Sequence, residues 1–222
     1  FKVAANIGKP QVSYRETFSK TVTKEFKFIK ESTQTIKGQY AHVVMEISRA
    51  RAGSGKKITF LTNKSQIPEQ FHNAIEKGIL DSATSGPLSG YPVVDFEVKI
   101  IGGSFHPKDS SDIAFQIASS QAFTEAVKNA DPALLEPYMH IEVTTPEQYL
   151  GECINDLNSR RGKIIEINAS PNGQVIRGEV PLSSMFGYST DLRSFSQGRA
   201  VYSMEFSHYL VVPEKKLNEI LN

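Results

Sequence analysis

The chain has 222 residues, 39% hydrophobic and 22% charged, the usage of an ordinary globular protein with length for one large domain or two small ones. Its formal net charge is +1, so overall charge announces neither nucleic acid, nor a membrane, nor an acidic substrate. The single cysteine, Cys153, excludes an internal disulfide framework and a cysteine-built zinc cage, and favours a reducing compartment.

No run of apolar residues is long enough for a membrane-spanning helix, and none is expected. The chain opens Phe1-Lys-Val-Ala-Ala5, without Met or a signal pattern, and reads as the internal start of something longer. Val22, Phe26 and Phe28 alternate with polar residues and predict a half-buried strand; Ala41, Val43, Met45 and Ile47 predict another. Ala50–Lys57 is a basic, glycine-containing turn before a short strand over 58–61. A helix follows, with Pro68 in its first turn and Phe71, Ile75 and Ile79 on its apolar stripe, stopped by Gly86-Pro87. Val94, Phe96, Val98 and Ile100 form the cleanest period-two run, ended by Gly102-Gly103. Asp109 or Ser110 is expected to cap the next helix, whose alanines at 114, 118, 122 and 126 form a ridge suited to close packing. Asp131-Pro132 breaks that helix, and 133–137 reads as a domain linker.

Beyond it, Met139, Ile141 and Val143 predict a strand, and Thr145-Pro-Glu147 a capped helix start. Tyr149, Cys153 and Leu157 share one stripe of that helix, which makes Cys153 a core residue rather than a nucleophile. Arg160-Arg-Gly162 is expected to close the helix on its glycine. Strands over 163–168 and 174–180, joined by Ser170-Pro-Asn-Gly173, precede a helix over 181–196 and a strand over 200–206. A short tail opens with Pro213 and is expected to bury Leu217, Ile220 and Leu221. From Tyr138 the order is strand, helix, strand, strand, helix, strand, the ferredoxin-like order.

Charge by segment is more informative than the total. Residues 20–64 hold ten Lys/Arg against three glutamates, whereas 65–137 hold four lysines against ten acids. Such polarity fits a solvated strand face or a footprint for a phosphate backbone. Gly53-Ser-Gly-Lys-Lys57 fails as a nucleotide loop: Ala50 stands where the first glycine belongs, and Lys57 where the magnesium-binding hydroxyl belongs. His106, Asp109, Ser110, Ser111 and Asp112 crowd one loop, but no GxSxG turn accompanies them, and helix capping accounts for the acids and serines. The five histidines lack metal-ligand spacing. Two glycine-bearing loops, Lys37-Gly-Gln-Tyr40 and Gly102-Gly-Ser-Phe-His-Pro-Lys-Asp109, flank well-formed strands. If those strands pair, both loops reach one end of the sheet, where Gln, His, Lys, Ser and Tyr suit RNA. A pair of plain surface turns is the alternative.

Gly8-Lys-Pro-Gln-Val-Ser-Tyr-Arg-Glu-Thr17 resembles the segment leading into domain four of bacterial elongation factor G; Gly38-Gln-Tyr-Ala-His-Val43, Ile75-Glu-Lys-Gly78 and Ser89-Gly-Tyr-Pro-Val-Val-Asp95 resemble later landmarks of that domain, and Gly103-Ser-Phe-His-Pro-Lys-Asp-Ser-Ser111 its tip loop. Leu135-Glu-Pro137, Leu157-Asn-Ser-Arg-Arg-Gly162, Met185-Phe-Gly-Tyr-Ser-Thr-Asp-Leu-Arg193 and Gln197-Gly-Arg199 resemble its domain five. The resemblance runs through essentially the whole chain. It implies an α+β fold: the end of a preceding domain (1–10), a ribosomal-protein S5 domain 2-like domain (11–137) and a ferredoxin-like βαββαβ domain (138–222). It implies the C-terminal part of a cytoplasmic, monomeric translational GTPase that moves tRNA and mRNA through the ribosome. GTP and magnesium would belong to the parent protein, with no cofactor or catalytic residue here. The tip of domain four would enter the small-subunit decoding region, through Lys37, Gly38, Gln39, Tyr40, Ser104, His106, Pro107, Lys108 and Asp109. Domain five would lie near the large-subunit GTPase-associated region. Ser32-Thr-Gln-Thr-Ile-Lys37 departs from the family's glycine-rich first tip loop and fits a divergent paralogue, including one specialised for ribosome recycling. A small Ser/His hydrolase is the third reading.

Overall fold

The computed structural model describes residues 12–31 and 38–221. They fall into two compact units. One comprises Arg15–Leu135 and the chain from Val212 onward; the other comprises Glu136–Val211 with the described residues before Arg15.

The first unit begins with a short strand, β1 (Arg15–Phe18). Then come β2 (Val22–Lys30), β3 (Gln39–Arg49), β4 (Lys56–Phe60), α1 (His72–Ser82), β5 (Phe96–Ser104) and α2 (Asp112–Asn129). The sheet order is β2-β3-β5-β4, antiparallel except where β4 runs parallel to β5. Period-two alternation sorts the faces: Ala41, Val43, Met45 and Ile47 are wholly buried, as are Phe96, Val98 and Ile100 opposite them. Burying each such large side chain is worth about 1.5–3 kcal/mol. The helices cover this face with Ile75, Ile79, Ala114, Ala118, Ala122 and Ala126. Small residues let α1 and α2 approach closely; a Cβ on Gly78 would lie 2.4 Å from the Gln116 carbonyl oxygen. The β3–β5 register shifts at Val44/Met45, so Val44 faces Gly102 and Met45 faces Ile100, with Ile101 the extra residue. Such a bulge bends and re-aims the strand end that follows it.

The segment expected to be a linker is a strand. β6 (Pro132–Thr145) pairs through Pro132–Leu135 with β1, and through Tyr138–Thr145 with β8 (Gly173–Pro181). Pro132 is tolerated because the first residue of a strand can lack a ladder donor. Leu134, Leu135 and Glu136 are buried, and that non-local pairing overrides the local proline signal. The second unit continues with α3 (Leu150–Ser159), β7 (Lys163–Ser170) before β8, then α4 (Tyr188–Phe195) and β9 (Val201–Val211). β6 lies between β8 and β9, and β7 flanks β8, giving the ferredoxin-like arrangement. Cys153 and Leu157 pack with Ile141, Val143, Ile176, Tyr188 and Leu192. α5 (Glu214–Leu221) closes the chain within the first unit; Leu217 and Ile220 are half-buried rather than buried.

Three local expectations change. Thr145 does not cap a helix: the 3-10 turn leading into α3 starts after Pro146 and has no side-chain cap. The helix expected over 181–196 is only a 3-10 turn at Leu182–Ser184 and then α4, with Gly187 at φ 81° breaking the path between them. At the end of α3 the left-handed residue is Arg161, φ 64°, not Gly162. Arg161 N–H donates to Asn158 O at 3.1 Å and Gly162 N–H to Leu157 O at 2.8 Å, the paired bonds of a Schellman cap. A Cβ on Gly162 would lie 2.6 Å from the Leu157 carbonyl oxygen, so glycine is required by contact there. Arg161 is held by the wholly buried Glu136, to which its guanidinium donates at 2.9 and 2.7 Å.

Candidate nucleic-acid interface

Because β3 and β5 are antiparallel, the start of one and the end of the other share one end of the sheet, with His42 opposite Ser104. The 105–111 loop leaves β5 there and enters α2. It is stitched to the start of β3 by backbone and hydroxyl bonds. Tyr40 N–H donates to Asp109 O at 2.9 Å, and the Ser110 hydroxyl donates to Tyr40 O at 2.8 Å. His106 N–H in turn donates to Ser110 Oγ at 2.8 Å. Gly38 lies against this loop: a Cβ there would be 3.1 Å from Asp109 Oδ1. Ser111, not Asp109 or Ser110, caps α2, accepting from Ala114 N–H at 3.2 Å. Ser111 has the extended backbone a cap requires, while Ser110 is used for closure onto Tyr40.

The side chains form a second layer of contacts. Tyr40 Oη and Ser104 Oγ are 2.8 Å apart, and His42 Nδ1 is 3.0 Å from the same Ser104 oxygen. The other ring nitrogen of His42 lies 2.8 Å from Glu25 Oε1. Lys27 Nζ sits 5.5 Å from the Tyr40 ring centroid, a cation–π distance. The Tyr40 and His106 rings are 6.4 Å apart and tilted. His106 Nδ1 either accepts from Asp109 N–H at 3.2 Å or, protonated, faces Asp109 Oδ2 at 3.0 Å. Both tautomers engage Nδ1 inside the loop, which leaves Nε2 of a half-exposed ring for an external group.

Gly38, Gln39, Tyr40, Ser104, His106, Pro107, Lys108 and Asp109 are therefore brought to one end of one sheet. Pro107 and Lys108 are exposed at the loop's apex. Lys37 lies outside the described residues. Sequence reasoning had Lys27 only as one of the lysines of the basic 20–64 segment, and missed His42 and Ser110 as participants, together with Ile29, which stands opposite Tyr40 and is 58% exposed. Of the missed residues, Ser110 carried a visible signal, its place in the crowded loop. Ser110 is not paired with an imidazole as a serine nucleophile would be: its one hydroxyl hydrogen goes to the Tyr40 carbonyl, and its oxygen accepts from the His106 backbone N–H rather than meeting the ring. Among the described residues no group of His, Cys, Asp and Glu is placed to hold a metal. A cleft of about 490 Å3 on the second unit lies along Glu142, Glu166 and Arg177, where Arg177 is bonded to both carboxylates at 2.7 Å. The Arg177 hydrogen bond, the largest cause, holds the Glu166 carboxyl below its ordinary range.

Two family models match the chain. Residues 10–131 match the family model for elongation factor G, domain IV, and residues 133–220 match that for the elongation factor G C-terminus. The chain belongs to the elongation factor G family. A crystal structure of a protein from Thermus thermophilus is similar, with 36% identity and a TM-score of 0.85 over 96% of this chain. The chain spans 32% of that protein's length. In elongation factor G terms, the clasped end built from β3 and β5 lies within the span matched to domain IV. No helix among the described residues is long and apolar enough to cross a membrane.

Proposed function

We propose that this chain is the ribosome-engaging arm of a translational GTPase that promotes movement of tRNA and mRNA. The clasped end of the β2-β3-β5-β4 sheet enters the decoding region of the small subunit, beside the codon–anticodon helix. The observation that carries this reading is the closure of the 105–111 loop onto the start of β3, which holds His106 of the loop beside Gln39 and Tyr40 of the strand. Rigid presentation avoids the ordering cost that a mobile loop incurs on binding. No bond is made or broken by this chain. It favours one ribosomal state by binding it better, and afterwards occupies the vacated space so that reverse movement is blocked. GTP and magnesium act in another part of the parent protein, which works as a monomer in the cytoplasm. The C-terminal unit lies near the GTPase-associated region of the large subunit.

The test is His106→Ala in the full-length parent. A lost hydrogen bond to a charged group is worth about 1.5–3 kcal/mol, so translocation should slow about 10- to 100-fold while ribosome-stimulated GTP hydrolysis stays within about twofold. An unchanged translocation rate refutes the role of His106. Measuring subunit splitting with the same parent protein separates a translocase from a recycling factor.

A further inference from the structure

Of the ten basic residues in 20–64, four have carboxylate partners: Lys20 with Asp131 at 3.7 Å, Lys24 with Glu125 at 2.8 Å, Lys57 with Glu97 at 3.0 Å and Lys64 with Glu69 at 3.2 Å. Among the described residues, Lys27, Lys30, Arg49, Arg51 and Lys56 form no ion pair. These five sort to the two ends of the sheet. Lys27 and Lys30 stand opposite His42 and Gln39, beside the clasp. Arg49 ends β3 and Lys56 begins β4, both opposite Phe96, at the other end. The 11 residues of β3 separate these ends by about 33 Å at about 3.3 Å per residue.

This second end is built, not merely charged. Residues opposed in register share a face, so Arg49 and Lys56 flank Phe96 with Cα atoms about 10 Å apart, two strand spacings. Lys56 Nζ is 5.8 Å from the Phe96 ring centroid. Burial, and secondly the positive charge of nearby Arg15, lower the proton affinity of Lys56. The turn between the strands is pinned to β5. Ala50 N–H donates to Asp95 O at 2.8 Å, Gly55 N–H to Asp95 Oδ1 at 3.0 Å, and Phe96 N–H to Gly55 O at 3.1 Å. The nearby carboxylate thus faces a backbone amide. Gly53 and Gly55 have φ +77° and +79°, with open space where a Cβ would stand, so a bulky anion can approach the backbone. Segment 49–57 carries no large apolar side chain. It cannot supply the dry centre of a protein–protein interface, whereas two guanidinium forks suit phosphate oxygens.

We propose that Arg49, Arg51 and Lys56, around the Gly53–Gly55 turn, form a second phosphate-backbone site for structured RNA, remote from the clasped end. It reads charge and groove geometry rather than sequence, and gives the domain two anchors on one RNA body. Two anchors joined by a rigid sheet bind more tightly than either alone when both can be engaged at once.

The test measures binding of the whole 222-residue chain to a fluorescein-labelled 20-base-pair RNA duplex over a potassium chloride series. The triple variant Arg49→Gln/Arg51→Gln/Lys56→Gln should weaken binding at least tenfold at low salt and reduce the log–log salt slope by up to about three, roughly 0.9 for each lost phosphate contact. Lys27→Gln/Lys30→Gln/Lys108→Gln, at the clasped end, should act independently, so the losses multiply. Arg51→Glu, on the exposed turn, is a second variant that leaves the strands untouched. Affinity within twofold and an unchanged slope for both base-end variants overturns the proposal. So does an equal loss of binding to labelled polyglutamate, which would assign the patch to acidic protein. If only the clasped-end variant weakens binding, this site is refuted and the decoding-end reading survives; if only the base-end variants do, the reverse holds.

Discussion

Replacing Arg161 tests whether a buried carboxylate is what holds α3 to β6 at their junction. Glu136 is wholly buried and accepts from Arg161 at 2.9 and 2.7 Å. That hydrogen bond, the largest cause, raises the proton affinity of Arg161 above its ordinary range. Arg161→Ala leaves the carboxylate buried without a counter-charge, and breaking such a pair costs about 3–5 kcal/mol. The Ser183 hydroxyl still donates to Glu136 at 3.1 Å, which places the loss near the lower limit, about 3 kcal/mol. Arg161 also sits at φ 64°, a conformation that costs an L-residue about 1 kcal/mol. Arg161→Gly loses the same pair but sheds that strain, so it should lose about 2 kcal/mol and be the more stable variant. Urea unfolding followed by far-ultraviolet circular dichroism reads both, with the midpoint moving at constant slope. A loss under about 1 kcal/mol for Arg161→Ala, or Arg161→Gly less stable than Arg161→Ala, refutes the reasoning.

Ser104→Ala removes the shared partner of Tyr40 and His42 and should cost about 1–2 kcal/mol in the same unfolding assay; a neutral result would mean that the hydroxyl chain carries no energy. Cys153 is wholly buried, and burial, the largest cause, pushes its thiol up. Its reaction with a disulfide reagent at pH 8 should be about a hundredfold slower in the native protein than in denaturant, and equal rates would contradict the burial. Since the folded thiol holds its proton more tightly than the unfolded one, its stabilising contribution is full below the ordinary thiol range. It fades as pH rises through that range, so unfolding midpoints should fall slightly above pH 9, the unfolded value.

Much of the fold was legible because its signals are local. The alternation at Ala41–Ile47 and Phe96–Ile100 needs only the two-residue pleat, and it marked the two strands that carry the candidate site, although Val94, expected to open the second run, lies outside β5 because Asp95 turns at φ 56°. The alanine ridge of α2 and the Tyr149–Cys153–Leu157 stripe follow equally from helical spacing. Where expectation failed, a distant partner decided. Pro132 and Pro137 argued for a linker, yet pairing with β1 and β8 makes β6 continuous. Ser110 scans as a cap, yet Tyr40, 70 residues away, claims its hydroxyl.

What these 222 residues determined unaided was the inventory: which segments alternate, which helices are amphipathic, which loops hold glycine beside His, Gln and Lys, and the family those motifs belong to. Only the tertiary structure decided which of the described lysines meet a carboxylate and which do not, and that Tyr40 meets Ser104 across 64 positions. The division has a physical cause. Periodicity is a property of neighbours along the chain, whereas register, ion pairing and loop closure join groups whose separation in sequence says nothing of their separation in space.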